Sequence, residues 1–402
     1  MDASDVIHDW NAGVPGLLGN AELLDETLRD GIQSPSAIDP KPEQKVAILR
    51  LLDRLGVAQC DVGLPGAGKR QRDDVTLLAR TKAEEKLSIR LNVACRTVVS
   101  DIAPVLDVVQ ATGVPLEVYT FIGSSPIRQY AENWDLDFIV RQSVEAIRFA
   151  ASHGLATAYV TEDTTRSRPD ALRTLFAAAV DAGARRLCLC DTVGHATPDG
   201  ARALVRFARE VAGPDIGLDW HGHNDRGLAL ANAMAAGDAG ATRLHGTVLG
   251  IGERVGNTPL DQLLVNFHVL GLTTKPVDAL LELVRLCSEA IGQAIPVNYP
   301  LAGRDAFRTA TGVHAAAIIK AQSKGDAWLA DRIYSGVPAG EFGKAQEIEV
   351  GHLSGLSNVR YWMARHGVPP DDQAAQAVLA AAKEASRVLT DAEIFALLGE
   401  RA

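Results

Sequence analysis

Aromatic residues and long apolar runs are scarce in this sequence. Only 5% of the residues are aromatic, and no uncharged apolar run approaches the roughly 18 residues that a membrane-spanning helix needs. Residues 1–20 contain early acids and no basic start followed by an apolar core, so they do not resemble a secretory signal. We therefore expect a cytoplasmic protein without a membrane partner.

Positive charge and cysteine are also in short supply. The chain carries 40 lysines and arginines against 50 acids, a formal net charge of −10, which disfavours binding to nucleic acid. The five cysteines are an odd number without zinc-ribbon spacing, and most lie in apolar runs: Cys60, Cys95, Cys188, Cys190 and Cys287. We interpret them as buried thiols rather than metal or redox groups, although Cys188 and Cys190 would share one face of a strand.

Short apolar segments alternate with helix-like segments from residue 22 to about 270. The candidate strands are 23–24, 59–62, 89–93, 116–122, 157–161, 186–190, 217–220 and 244–249. Their starts recur about every 30 residues, as expected for eight βα units in about 250 residues. The pattern predicts an α/β fold, a (β/α)8 TIM barrel, in which polar clusters that follow the strands meet at one rim.

The pattern changes after residue 272, where helix-like segments follow one another without strands. We expect a barrel domain over residues 1–275 and a mainly helical region over 276–402. This second region has too few apolar residues on any one face to suggest an independent enzyme domain. We interpret it as a lid or dimerisation arm.

Two histidines, His221 and His223, lie one residue apart at the end of a short apolar run. Side chains two apart in an extended backbone point to the same face, so both imidazoles can reach one cation. A carboxylate is needed to complete a catalytic site with open positions, and Asp30, after the first strand, is a candidate. The alternatives are two hydrogen-bonded histidines at a strand mouth and a rim salt bridge between Arg29 and Asp30.

Four motifs occur in a fixed order along the chain: TLRDGIQ, DTVGHATP, HGHND and GIGERVGN. With them the sequence resembles the acyl-CoA Claisen-condensing enzymes that include 2-isopropylmalate, homocitrate and citramalate synthases. The resemblance implies a (β/α)8 barrel that binds a divalent cation, Mg²⁺, Mn²⁺ or Zn²⁺. It assigns the metal ligands to Asp30, His221 and His223 with Asn257 assisting, and it places Arg29 and Gln33 beside the 2-oxo acid.

The chemistry of such a condensation requires a base, because acetyl-CoA, the co-substrate, must lose a methyl proton. The resemblance matches Glu162 to the family glutamate after strand five and Thr192 to a threonine that holds the acceptor carboxylate. It also implies a homodimer in which the arm of a neighbouring subunit supplies a histidine and a tyrosine, here His314 and Tyr334. The alternative for His314 is a helix-start histidine with a surface partner.

The acceptor is suggested by two positions before Glu162. Homocitrate synthases hold the distal carboxylate of 2-oxoglutarate with an arginine and a serine where this chain has Ala158 and Val160. Small apolar side chains favour an apolar tail, which predicts 2-oxoisovalerate as acceptor and 2-isopropylmalate as product. Arg128, after strand four, offers a positive charge for a second carboxylate, so 2-oxoglutarate stays an alternative acceptor, and pyruvate is a third. An acyl-CoA lyase fits less well, because such lyases resemble this chain but use a catalytic cysteine in the loop after strand eight, and residues 246–257 contain no cysteine.

Overall fold

The structure, a computed structural model, describes residues 6–11 and 16–399, and the chain divides into two compact units, Met1–Gln293 and Ala294–Ala402. In the first unit eight parallel strands close into a barrel in sequence order. The predicted (β/α)8 barrel is therefore confirmed. The division between the units comes later than the expected boundary after residue 275, because the helix Leu280–Ile291 buries its apolar face in the first unit.

The eight strands agree closely with the expected segments. Strand β8 pairs with β1, Leu24 opposite His245, and this pairing closes the barrel. Strand β8 ends at Gly246 rather than at Leu249, because Leu249 has a φ of 62° that extended backbone does not allow. The strands are β1 Glu22–Asp25, β2 Gln59–Asp61, β3 Arg90–Arg96, β4 Leu116–Gly123, β5 Thr157–Glu162, β6 Arg186–Asp191, β7 Gly217–Gly222 and β8 Arg243–Gly246.

The helices of the first unit cover the outside of the barrel. Helix α7 shows why they form: the Thr197 side chain caps its first turn, Pro198 starts it, and Ala201, Val205 and Ala208 share its buried face. The helices are α1 Pro42–Arg54, α2 Lys69–Glu85, α3 Val99–Thr112, α4 Pro126–Glu132, α5 Leu136–Ser152, α6 Pro169–Ala182, α7 Pro198–Ala212, α8 Ala229–Asp238, α9 Leu260–Val269 and α10 Leu280–Ile291.

The second unit is mainly helical, as predicted. Its core contains Val359, Trp362, Val378 and Ile394, all buried. Two short strands, β9 Arg308–Thr309 and β10 Glu347–Ile348, pair in parallel beside helices α11 Gly312–Ser323, α12 Ala327–Arg332, α13 Leu356–Arg365, α14 Asp372–Glu384 and α15 Asp391–Leu397. Across residues 6–11 and 16–399, no helix combines the length and apolarity that crossing a membrane requires.

Candidate active site

A cavity of about 240 Å³ opens at the carboxyl ends of the barrel strands. Parallel strands place the residues that follow them at this one rim, which is where barrels of this kind carry their sites. Most of the residues expected at the site form the wall of this cavity. They are Arg29, Asp30, Gln33, Val160, Glu162, Thr192, His221 and His223.

Asp30, His221 and His223 converge on one point in this wall. The Nε2 atoms of the two histidines are 3.4 Å apart, and each lies 3.6 Å from Asp30 Oδ2. A triangle with these sides has a centre about 2.0 Å from every corner, which matches the distance at which imidazole nitrogen and carboxylate oxygen bind a divalent cation. The three side chains therefore have the spacing of a metal-ligand set.

Two buried oxygens beside these histidines accept no hydrogen bond from the part of the chain that the structure describes: Asp30 Oδ2 and Asn257 Oδ1. Asn257 pairs with His223 in an isolated β-bridge, and its amide nitrogen donates to the Ile251 carbonyl at 3.2 Å, which leaves the amide oxygen unused. Buried polar atoms without a partner are costly, and a bound cation would satisfy Asp30 Oδ2. Asp30, His221 and His223 fit a divalent cation held by two imidazoles and a carboxylate, and Asn257 Oδ1 is a further unpaired oxygen in the residue that bridges to His223.

Glu26 orients His221 from behind. His221 Nδ1 lies 3.3 Å from Glu26 Oε1, and His245 Nδ1 lies 2.5 Å from the same oxygen. A carboxylate behind a ligating histidine fixes the ring orientation and the tautomer, which leaves Nε2 for the cation. The sequence interpretation missed Glu26 and His245. The available signal was a histidine on the closing strand of the barrel and an acid directly after the first strand.

His245 continues a buried charge network into the barrel interior. Its Nε2 lies 3.2 Å from Asp219 Oδ2, and Asp219 also accepts from the Tyr119 hydroxyl at 2.5 Å and pairs with Arg186. Burial alone would lower the pKa of His245, but the interaction with the Cys188 sulfur, hydrogen bonds to Asp219 and Glu26, and the Glu26 charge raise it to about 10. His245 is thus an imidazolium held between two carboxylates.

Arg29 is surrounded by acids at the same rim. It pairs with Glu26, its Nη1 lies 3.2 Å from Asp30 Oδ1, and its Nε lies 3.3 Å from Asp61 Oδ2. Burial opposes the Arg29 cation, but the Glu26, Asp30 and Asp61 carboxylates outweigh it and raise the guanidinium pKa. For Asp61 burial dominates over the attraction to Arg29 and raises the pKa to about 7. Arg29 therefore links Asp30 to Asp61 at the end of β2. The Arg29–Asp30 salt bridge uses Asp30 Oδ1, whereas Oδ2 faces the two histidines, so both arrangements are present together.

Glu162 lies on the other side of the cavity at the end of β5. Burial raises the pKa of Glu162, although the nearby Arg128 guanidinium opposes the shift. The Nη1 of Arg128 is 3.8 Å from Glu162 Oε1, and its Nη2 is 3.3 Å from Glu132 Oε1. Arg128 therefore stands behind Glu162 and pairs with acids, and it does not form part of the cavity wall. A carboxylate in such surroundings accepts a proton more readily than a solvent-exposed one.

Between Glu162 and the histidines the wall is apolar. It is formed by Leu64, Ala94, Tyr119, Phe121, Val160, Cys188 and Cys190. Ala158, which we expected beside the acceptor, is fully buried in a cluster below Val160 and does not reach the cavity. Of the two positions that suggested an apolar acceptor, Val160 is the one in the wall.

The polar parts of the wall come from loops that other side chains hold in place. Thr192 Oγ1 accepts from the Asp163 backbone amide at 2.8 Å, and Arg254 binds both the Thr192 carbonyl and the Asp225 carboxylate. Arg254 thereby ties the loop after β8, which carries Asn257, to the loops after β6 and β7.

His314 and Tyr334 lie in the second unit, where the structure brings them together. Their rings stack with centroids 4.2 Å apart and an angle of 29° between the planes. Both side chains are exposed. The exposed stack is a feature that neither residue suggested by itself in the sequence.

Comparisons with known proteins show which family this chain is similar to. The model of the HMGL-like family matches residues 20–290. The chain is 33% identical over 363 residues to "Homocitrate synthase AksA" of Methanopyrus kandleri, covering 89% of this chain and 85% of that one. It is 34% identical over 364 residues to the "Probable 2-isopropylmalate synthase" of Ignicoccus hospitalis, with the same coverage of 89% and 85%.

A solved structure shows the same fold at lower identity. Hydroxymethylglutaryl-CoA lyase from Pseudomonas aeruginosa superposes with a TM-score of 0.58 at 19% identity, covering 68% of this chain and 94% of that one. At this identity the likeness concerns the barrel alone. The match of the family model and the two relatives at one third identity carry the assignment: the chain belongs to the HMGL-like family.

Proposed function

We propose that this chain condenses acetyl-CoA with a 2-oxo acid and that water then hydrolyses the thioester and releases CoA. The acceptor in this proposal is 2-oxoisovalerate, giving 2-isopropylmalate. The observation that carries the proposal is the pairing of Asp30, His221 and His223 with an apolar wall in one cavity. A 2-oxo acid that chelates a cation needs the three ligand side chains, and an aliphatic acceptor tail needs the apolar wall. The names of the two relatives agree with a condensing enzyme and leave the acceptor open.

In this proposal Asp30, His221 and His223 hold a divalent cation with the help of Asn257. When bound, the cation would polarise the keto group of the acceptor and so make its carbon electrophilic. Arg29 supplies positive charge beside Asp30, where negative charge develops on the acceptor oxygen. Gln33 and Thr192, both in the cavity wall, bind the acceptor and its carboxylate.

Glu162 acts as the base that removes the methyl proton of acetyl-CoA. It faces the same cavity as the metal ligands, and burial raises its pKa toward the range in which a carboxylate accepts a proton effectively near neutral pH. His314 and Tyr334 complete the proton transfer from the arm of a neighbouring subunit in a homodimer. Their exposed stack is available for such a role.

The apolar wall favours 2-oxoisovalerate because it cannot bind a second carboxylate of the acceptor. Val160, Leu64 and Phe121 offer no partner to the distal carboxylate of 2-oxoglutarate, and an unpaired buried carboxylate costs several kcal/mol. Homocitrate formation is the second candidate, because one relative bears that name and Arg128 lies near Glu162 with a buried Nε that no described residue accepts from. Pyruvate would leave part of the apolar wall without contact.

The test is release of free CoA from acetyl-CoA with Mg²⁺ or Mn²⁺ and a panel of acceptors. We expect the highest kcat/KM with 2-oxoisovalerate, above pyruvate, oxaloacetate and 2-oxoglutarate. Val160→Ala should lower the preference for 2-oxoisovalerate over pyruvate by about tenfold, because contacts to the branched tail are lost. Val118→Ala, a fully buried β4 residue outside the cavity wall, is the matched control and should leave that preference unchanged. A clear preference for 2-oxoglutarate would overturn the acceptor assignment.

A further inference from the structure

Two thiols stand side by side in the cavity wall. Cys188 and Cys190 are separated by one residue on β6, so both side chains point into the barrel. Their Sγ atoms are 3.9 Å apart. Both line the apolar wall, but the proposed condensation assigns no chemical role to either thiol.

The surroundings of this pair differ from those of other cysteines in the barrel. The Cys60 thiol donates to the Asp25 carboxylate, and the Cys95 thiol donates to the Asp101 carbonyl, and neither residue belongs to the cavity wall. The Cys188 and Cys190 thiols contact each other, and the Cys190 thiol also donates to the Cys188 carbonyl at 3.9 Å. A ligand that enters the cavity therefore meets two adjacent sulfurs.

We propose that Cys188 and Cys190 form a second cation site, selective for thiophilic ions such as Zn²⁺ and Cd²⁺ and distinct from the site of Asp30, His221 and His223. Thiolate sulfur binds Zn²⁺ at about 2.3 Å, so two thiolates on a tetrahedral ion lie about 3.8 Å apart. The present separation of 3.9 Å already matches that spacing. The pair can bind without movement of the β6 backbone.

Binding at this site is an exchange of protons for the cation. Two sulfur–metal bonds form, two S–H bonds break, and the two protons leave to solvent, so no electron is transferred. Thiolates favour soft ions, whereas Mg²⁺ prefers oxygen ligands and does not compete here. The remaining positions of the cation would face the cavity that both residues line.

An ion bound here would occupy the space that the acceptor tail needs. Cys188 and Cys190 belong to the same apolar wall as Val160 and Phe121. This consequence rests on the proposed function, whereas the cation site does not. We expect Zn²⁺ in excess of the first site to inhibit competitively with the 2-oxo acid.

The site can be tested by titrating the Mg²⁺-loaded protein with Cd²⁺ and recording the ultraviolet charge-transfer band that only sulfur–cadmium bonds give. We expect one equivalent of Cd²⁺ to develop the band in the wild type and in Cys95→Ser, the matched buried-thiol control. His223→Ala should also keep the band, because the first site contributes no sulfur. Cys188→Ser and Cys190→Ser should each weaken Cd²⁺ binding by about a hundredfold or more, because losing a direct ligand costs at least as much as losing a residue behind one.

Two results would overturn the site. One is the absence of the band in the folded wild type at saturating Cd²⁺, and the other is a band that survives in the folded double variant Cys188→Ala/Cys190→Ala. The wild-type measurement does not depend on whether any variant folds. Because the band is read without turnover, failure of the condensation assay and failure of the thiol site are separate results.

Discussion

Replacing Glu26 by glutamine tests how far the metal ligands depend on the carboxylate behind them. Oε1 of Glu26 accepts from both His221 and His245, and Oε2 accepts from Arg29. A glutamine has one oxygen and one NH2 group, so its NH2 must oppose either the arginine or both histidines. At least one N–H group of Arg29, His221 or His245 then loses its acceptor. The negative charge of the Glu26 carboxylate between these three side chains is also lost.

The size of the effect follows from the kind of contact that is lost. A carboxylate behind a ligating histidine is worth about 10- to 100-fold in metal affinity, or about 1.4–2.7 kcal/mol. Breaking a buried charge cluster by removing one partner costs about 3–5 kcal/mol of folding free energy. Glu26→Gln should therefore weaken Mn²⁺ binding by about 10- to 100-fold and lower the free energy of unfolding by several kcal/mol.

The assays are isothermal titration with Mn²⁺ and equilibrium unfolding in urea. Glu22→Gln is the matched control, because Glu22 lies at the other end of β1 and pairs with Arg90 and Arg243 on a half-exposed side chain. The control should keep the wild-type Mn²⁺ affinity. If folded Glu26→Gln also bound Mn²⁺ as tightly as the wild type, Glu26 would have no part in orienting His221.

Two further predictions concern stability. A Cβ at Gly256 would lie 1.8 Å from the Gly250 carbonyl oxygen at a φ of +93°, so Gly256→Ala should lower the free energy of unfolding in urea by about 3 kcal/mol or more. The control Gly227→Ala has a φ of +70° and open space around it, so it should lower the free energy of unfolding by about 1 kcal/mol. Equal losses in the two variants would contradict the clash at Gly256. Because His245 has a folded-state pKa of about 10 against 6.5 for the free side chain, its stabilising contribution is fully present below pH 6.5 and is lost as the pH rises to 10. The free energy of unfolding should fall by about 3 to 4 kcal/mol between pH 6.5 and pH 9.5, and this loss should be smaller in His245→Gln. An unchanged profile would refute the buried imidazolium.

The barrel was predictable because its signal is local and repeated. Each strand is an apolar segment with a turn after it, and the spacing of about 30 residues leaves little choice of topology. The error at the end of β8 has a physical cause: residues 247–249 are apolar enough for a strand, but Thr247 bridges to Pro259 and Leu249 turns the backbone to positive φ. Hydrophobicity alone does not report that turn.

The convergence of Asp30, His221 and His223 was also predictable, because the two histidines form a recognisable pair and parallel strands bring Asp30 to the same rim. Glu26 and His245 were not, since their roles arise from pairing across the closing strands of the barrel, which no local pattern shows. Ala158 was misleading for a related reason. It lies two residues before Val160 on the same strand face, yet one layer deeper, so depth within the barrel decides which of the two reaches the cavity.

The proposed condensation depends on one divalent cation held by Asp30, His221 and His223. Stoichiometric titration with Mn²⁺, followed by its electron paramagnetic resonance, tests it directly in the wild type and in Asp30→Asn, with Asp225→Asn as a control carboxylate near the same rim. We predict one tightly bound Mn²⁺ per chain in the wild type and in Asp225→Asn, and binding weakened by a hundredfold or more in Asp30→Asn. Wild-type affinity in folded Asp30→Asn would contradict the account.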